Sequence, residues 1–297
     1  MIQDILFARD FSPSSDRALA YGLDLAKRTG ARQHMMYVQV QERSLLEAPK
    51  IADVPLDKLQ EKFRSRNREV LERYADEVPD EDLHHHVERD EAAGPALVGF
   101  AERKGIDLIV IGTYGRRGVQ RVIYGSVAED VLRTAPCPVL IARAEEEPAP
   151  SDTVERIVVP ADFSELSKGA LHYAQALARV YEVPLRVLHV VDTPQRPYVY
   201  ELQADHMASR EAQARAERAL EEWVEAPDEG LKITSSVHRG EAAETIVDIA
   251  SKPSDLIVMA TRGRSGLRRT MIGSVTEEVI RRANGPVVAA RRFPEPA

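Results

Sequence analysis

Short apolar runs alternate along this chain with longer stretches of helical period, a pattern that predicts βα units building a parallel sheet. In the second half it predicts strands at 156–160, 185–191, 231–238, 255–260 and 286–291, with helices at 165–181, 200–226, 241–252 and 274–283 between them. The strands are apolar almost throughout, as suits a sheet covered on both faces. In the first half a helix over 16–29 sets Leu19, Leu23 and Ala26 on one stripe, and Leu171, Ala174 and Ala178 repeat that stripe in its counterpart. Gly30 stands where it would stop the first of these helices.

The same pattern occurs twice, and the residues that interrupt it recur with it. Ile5-Leu6-Phe7-Ala8-Arg9-Asp10-Phe11-Ser12 returns as Ile157-Val158-Val159-Pro160-Ala161-Asp162-Phe163-Ser164, and Asp107-Leu108-Ile109-Val110 returns as Asp255-Leu256-Ile257-Val258. Gly115 to Gly118 matches Gly263 to Gly266, Gly125-Ser126-Val127 matches Gly273-Ser274-Val275, and Pro138 to Arg143 matches Pro286 to Arg291. A repeat of this length means tandem domains. Residues 1–144 form the first and 154–293 the second, with the charged, proline-bearing stretch 145–153 as linker. The 297-residue chain is long enough for each of its two domains to bury its own core.

Composition narrows the setting. The chain is 43% hydrophobic and 30% charged, without an apolar run near the roughly 18–20 residues of a membrane span. A net charge of −8 argues against a general nucleic-acid surface. The sequence enters an apolar strand at once, without the regions of a signal peptide, and Cys137 is the single cysteine; a cytoplasmic protein is the expectation.

The strongest chemical signal follows the strand ending at Ile111, where Gly112, Gly115, Gly118 and Gly125 space a loop that ends on Ser126. Glycines bring backbone N–H groups close to an oxyanion, and a helix start adds free donors, so this is a phosphate-cradle candidate. Ser126 with Glu129, and Ser274 with Glu277, stand in capping-box spacing. Two uses are open for each serine, as helix cap or ligand contact. Asp10 and Asp162 end their first strands at the expected crevice of such a sheet, where each can bond a base or ribose, or join Ser12 or Ser164 in capping the next helix. Arg116 and Arg264, with Arg117, Arg121, Arg268 and Arg269, supply cations near the phosphates or simply face solvent. Neither a Rossmann fingerprint after the first strand nor a Walker loop is present.

On these residues the sequence resembles the nucleotide-binding members of the universal stress protein family, whose pattern is Gly, two residues, Gly, nine residues, Gly, then Ser or Thr. The first half carries it at Gly112, Gly115, Gly125 and Ser126; the second has Gly263, Gly273 and Ser274 but Ala260 in place of the first glycine. The resemblance implies an α/β fold, two tandem open five-stranded sheets of order 3-2-1-4-5 with helices on both faces. It implies ATP, with Mg2+ accompanying its phosphates, as ligand. It assigns Asp10 and Asp162 to the base, Val38 and Val190 to a backbone contact with the adenine, and Ala8, Pro160, Gly118, Gly266, Val127 and Val275 to the pocket walls. It also implies that Val139 to Ala142 and Val287 to Ala290 pair within the chain, with a homodimer beyond that left open. Sequence alignment places Ala92 opposite Gly240. No catalytic residue and no metal site is assigned, and any ATP hydrolysis is expected to be slow. The rival functions are an interaction scaffold of the same fold and an ATP-using enzyme of a related superfamily; the latter lacks its Ser-Gly-Gly and His-Ile-Gly-His signatures here.

Among other features, His84 and His86 alternate with His85 on a strand and share one face, as surface histidines rather than metal ligands. Cys137 reads as a small buried residue, His189 as structural, and Trp223 as part of an amphipathic helix.

Overall fold

The computed structural model describes residues 2–41, 55–74, 82–113, 125–143, 154–192, 203–224, 230–263 and 271–294. The chain divides into two compact units, Met1–Asp152 and Thr153–Ala297. Unit 1 runs β1 (Asp4–Ala8), α1 (Pro13–Thr29), β2 (Arg32–Val40), α2 (Leu56–Tyr74), β3 (Leu83–Asp90), α3 (Ala93–Lys104), β4 (Leu108–Gly112), α4 (Ser126–Thr134) and β5 (Val139–Ala142). Unit 2 runs β6 (Arg156–Pro160), α5 (Glu165–Tyr181), β7 (Leu185–Asp192), α6 (Gln203–Val224), β8 (Ile233–Gly240), α7 (Ala242–Ile249), β9 (Asp255–Ala260), α8 (Ser274–Arg282) and β10 (Val287–Ala290).

Both units are α/β with the same parallel strand order, β3-β2-β1-β4-β5 and β8-β7-β6-β9-β10, which is the order 3-2-1-4-5 that the resemblance implied. The first strands are central and dry: Ile5, Leu6 and Phe7 in one unit, and Ile157, Val158 and Val159 in the other, are buried. Their apolar character on both faces follows from helices lying above and below.

Element ends depart from the periodicity where local chemistry overrides it. Helix α1 starts at Pro13 rather than 16, because the Ser12 side chain accepts from Ser15 N–H and proline suits the first helical position. Gly30 ends it in the left-handed region, as expected. Helix α7 stops at Ile249, short of 252, since Ala250 leaves helical geometry (φ −91°, ψ 57°) ahead of Pro253. Strand β8 runs two residues later than its apolar pattern suggests, to Gly240. Its register sets Gly240 beside Asp192, and the matching register in unit 1 sets Asp90 beside Val40. Asp90, rather than Ala92, is therefore the structural counterpart of Gly240, because the strand-to-helix connection is one residue longer in unit 1.

Candidate functional site

Parallel strands send their carboxyl ends to one side, and a crevice opens where neighbouring connections wind in opposite directions. In each unit that point lies between the first and fourth strands, β1 beside β4 and β6 beside β9. Asp10 and Asp162 stand two residues past their first strands there. Each uses Oδ1 to accept two bonds from the serine two residues on: Ser12 N–H at 3.0 Å and Ser12 Oγ–H at 2.6 Å, and Ser164 N–H and Oγ–H at the same two distances. The serine oxygen then accepts from the helix, from Ser15 N–H at 3.3 Å and from Ser167 N–H at 3.1 Å. The capping role is therefore present in both units: the serine caps, and the aspartate holds the serine.

The residue between them is Phe11 or Phe163, with φ of 59° and 63°. A bulky side chain in the left-handed region costs about 1–3 kcal/mol, and the same strain at the same place in both units marks a constrained corner. Packing holds it there. Phe11 has the Arg66 guanidinium 4.5 Å and the Arg9 guanidinium 5.2 Å from its ring centre, and Phe63 against its edge. Phe163 packs against His189 with the rings tilted and their centres 4.4 Å apart, while His189 Nδ1 donates to the Ala161 carbonyl at 2.7 Å; His189 is structural, as expected.

The glycine-bearing segments arrive from the other side of the crevice. Thr113 and Gly125 are joined by Gly125 N–H to the Thr113 carbonyl at 2.5 Å, and Gly273 N–H reaches the Thr261 carbonyl at 2.8 Å, closing each loop at its base. Residues 114–124 and 264–270 lie outside the described residues, and with them Gly115, Arg116, Gly118, Arg264 and Gly266. Gly263 lies within reach: a Cβ there would stand 2.5 Å from Asp162 Oδ2, so the glycine segment and the strand-one carboxylate meet. In unit 1 the tight spot is Gly112, whose Cβ would stand 2.5 Å from the Ser14 carbonyl carbon and 2.6 Å from Ser15 N. Ala260, its counterpart, fits in unit 2 and is buried.

Ser126 and Ser274 do not form capping boxes. Gly125 and Gly273 are the N-caps, their carbonyls accepting from Glu129 and Glu277 N–H, and neither helix has a side-chain cap. The serines fall one position inside the helix because the chain turns at the glycine, so both hydroxyls are exposed rather than spent on the backbone. Val127 and Val275 follow them, half-buried. Ala8 pairs with Met36, so Val38 stands two residues further toward the crevice; Pro160 pairs with Leu188, and Val190 stands likewise.

Two residues that the motif did not nominate stand out. Thr113 and Thr261, each at the base of a glycine loop, are 2% and 1% exposed, and among the described residues neither hydroxyl has a hydrogen-bond partner. An unpartnered buried hydroxyl costs about 1–3 kcal/mol. Unit 1 adds Arg9, 3% exposed, donating to Ser15 O, Ser15 Oγ, Asp16 Oδ1 and Asn67 Oδ1. Position alone could have drawn attention to Thr113 and Thr261, as the same residue after the fourth strand of both halves.

At the opposite end of unit 1, His34 joins the histidines the sequence singled out. It stacks on His84 and His86, with ring centres 5.1 and 5.4 Å apart, while His85 turns to Phe63 on the other face. The Arg32 hydrogen bond is the main cause holding the Asp4 carboxyl below its ordinary range, so Asp4 accepts. Hence His34 Nε2–H donates to Asp4 at 2.9 Å, and its bare Nδ1 accepts from His86 Nε2–H at 3.2 Å. Burial pushes both imidazoles down, His86 to about 4. Among the described residues no three His, Cys, Asp or Glu groups are placed to hold a metal ion, and no helix is long and apolar enough to cross a membrane. Cys137 is half-buried, and burial pushes its thiol up to about 12, which disfavours the thiolate.

Comparison with known proteins returns one family twice. The model of the universal stress protein family matches residues 1–143 and again 153–291. A universal stress protein of Methanocaldococcus jannaschii is 33% identical over 148 residues, covering 46% of this chain and 82% of its own length. One of Mycobacterium tuberculosis is 34% identical over 203 residues, 67% of this chain and 66% of its own length. The crystal structure of a universal stress protein from Archaeoglobus fulgidus superposes with a TM-score of 0.61 at 21% identity, covering 97% of this chain and 98% of that one, which speaks to the fold.

Proposed function

Since the chain belongs to the universal stress protein family, carrying two of its domains in tandem, we propose that it is an ATP-binding regulatory protein whose nucleotide occupancy alters its conformation or partner affinity. One observation carries the reading: a Cβ on Gly263 would stand 2.5 Å from Asp162 Oδ2, which brings loop and strand-end acid to one crevice. Asp162 and Asp10 would take the base, while Val38 and Val190 offer backbone groups at its edge. Ser126 and Ser274, left exposed by the glycine N-caps, would meet the phosphates together with the first N–H groups of α4 and α8. The unpartnered Thr113 and Thr261 hydroxyls favour the same place, since a bound polar ligand or its water would satisfy them. Mg2+ would accompany the phosphates and neutralise their charge. Gly115, Arg116, Gly118, Arg264 and Gly266 belong to the proposal by their place in the motif.

The test is to purify the chain from cells, denature it and identify any released nucleotide, alongside calorimetric titration with ATP. Gly115→Val and Gly263→Val are each expected to remove one binding event, the latter by driving a side chain into Asp162. Absence of released nucleotide together with no heat on ATP addition would overturn the reading. A turnover assay on the same sample is expected to show phosphate release far slower than that of a dedicated ATPase.

A further inference from the structure

The amino ends of the unit 2 strands, opposite the crevice, hold a cavity of about 350 Å³ lined by Arg156, Arg186, Lys232, Thr234, Ser235 and Ser236. The corresponding space in unit 1 is filled. There His34, the register partner of Leu6 and His84, stacks on His84 and His86 beneath Phe100 of the twelve-residue helix α3. In unit 2 the same register positions hold Arg186, beside Val158 and Thr234, and the covering helix α7 has only eight residues. Polar side chains replace the rings, and the last helical turn that would cover them is missing.

The chemistry left behind is that of an anion site. Arg156 is anchored, its guanidinium bonded to Asp255 at 2.9 and 2.7 Å and to the Ile249 carbonyl at 2.9 Å. Its charge is therefore already balanced. Arg186 and Lys232 are not so balanced: among the described residues neither has a carboxylate partner, in a chain with eight more acidic than basic side chains. Arg186 meets the neutral ring of His238, Nη2 to Nε2 at 3.5 Å, and His238 contacts Ser236 Oγ at 2.9 Å. Burial, with the Arg186 charge second, pushes the His238 imidazole down. Thr234 and Ser235 are exposed and supply further hydroxyl donors.

We propose that this cavity binds a small phosphate-bearing anion, gripped by Arg186 and Lys232 with the hydroxyls of Thr234, Ser235 and Ser236 around it. Two cations with converging hydroxyls match the charge and the several acceptor oxygens of a phosphate group, and 350 Å³ admits a phosphomonoester or pyrophosphate. The lining residues stand at the amino ends of β7 and β8, away from the proposed ATP crevice, while His238, beside Val190 in the register, lies between the two, so the Lys232→Ser response decides which one a signal reports.

His238 reports on it. In the full chain with histidine rings labelled for NMR, titration with inorganic pyrophosphate is expected to shift the His238 ring signals saturably and to raise its pKa, as the bound anion offsets the Arg186 charge beside the ring. Removing both cations, with Arg186→Ser and Lys232→Ser, is expected to weaken the response by at least about tenfold. Lys232 is exposed, so Lys232→Ser alone keeps the test decisive if loss of Arg186 unfolds the unit. A His238 signal unmoved at millimolar pyrophosphate, an equal shift with chloride at matched ionic strength, or an undiminished response in Lys232→Ser would overturn the proposal. Parallel titrations with a sugar monophosphate and with inorganic phosphate separate an organic ligand from a free ion by which saturates lower.

Discussion

At the amino ends of the strands the two units put opposite chemistry in one place. Asp4 opens β1 where Arg156 opens β6, and the three stacked histidines of unit 1 stand where unit 2 has Arg186, Thr234 and Ser236. At the carboxyl ends the same two units agree to a tenth of an ångström in how aspartate holds serine. The difference teaches where the repeat is constrained. The strand order fixes only the crevice end as the meeting point of the first and fourth strands, so the other end was free to diverge once each unit had its own salt-bridge solution.

The largest effect should come from the buried ion pairs. Asp255 is 1% exposed and shares its charge with Arg156, so Asp255→Ala should destabilise unit 2 by about 3 kcal/mol, leaving a partly buried arginine uncompensated. Asp4→Ala should cost unit 1 less, about 2 kcal/mol, because the Arg32 side chain is 57% exposed and rehydrates while the buried His34 Nε2–H loses its acceptor. Hydrogen exchange read unit by unit in the full chain checks both, and equal losses would break the asymmetry. Next comes the glycine that differs. Gly112→Ala drives a methyl into the Ser14–Ser15 backbone and should destabilise unit 1 by about 2 kcal/mol, while Ala260→Gly should change unit 2 by about 1 kcal/mol or less.

Acid should separate the units further. His34 and His86 titrate below their unfolded value of 6.5, so the folded state binds fewer protons there; their contribution is whole above pH 6.5 and is lost as pH falls toward about 4. A proton on His34 Nδ1 would also face the His86 N–H and break that bond. Unit 1 should therefore lose about 3–5 °C in melting temperature between pH 7 and 5, more than unit 2, where among the described residues His238 is pushed the same way. His86→Phe should flatten the profile of unit 1; an unchanged slope would remove the histidines as its source. Smallest, and equal, are the caps. Ser12→Ala and Ser164→Ala should each cost about 1 kcal/mol by thermal melting, and a clear inequality would show that the matching corners differ in more than geometry.

Much of this architecture is legible in the residues themselves. The repeat and helix α5 from Glu165 to Tyr181 follow from apolar periodicity and matched motifs, because buried parallel strands are nearly continuous in apolar character, whereas the strand order came only with the family resemblance. The aspartates and glycines of the crevice are legible because their chemistry is local to a few positions. The capping box was misleading, since sequence spacing cannot say whether the turn falls on Gly125 or Ser126. His34 was silent for another reason: its neighbours lie fifty residues away and meet it only through the β2–β3 register. The early stop of α7, and the cavity it uncovers, likewise depends on backbone geometry at Ala250 that periodicity does not encode.

The charge reversal between Asp4 and Arg156 has a bearing on how such a chain is made. Strands β1 and β6 carry interchangeable apolar cores, and tandem copies of one fold are prone to exchange equivalent strands while both are incomplete. In the wrong slot Asp4 would land beside the buried carboxylate of Asp255, so that exchange would crowd like charges. The charge that opens each strand therefore disfavours the exchanged pairing of two similar halves.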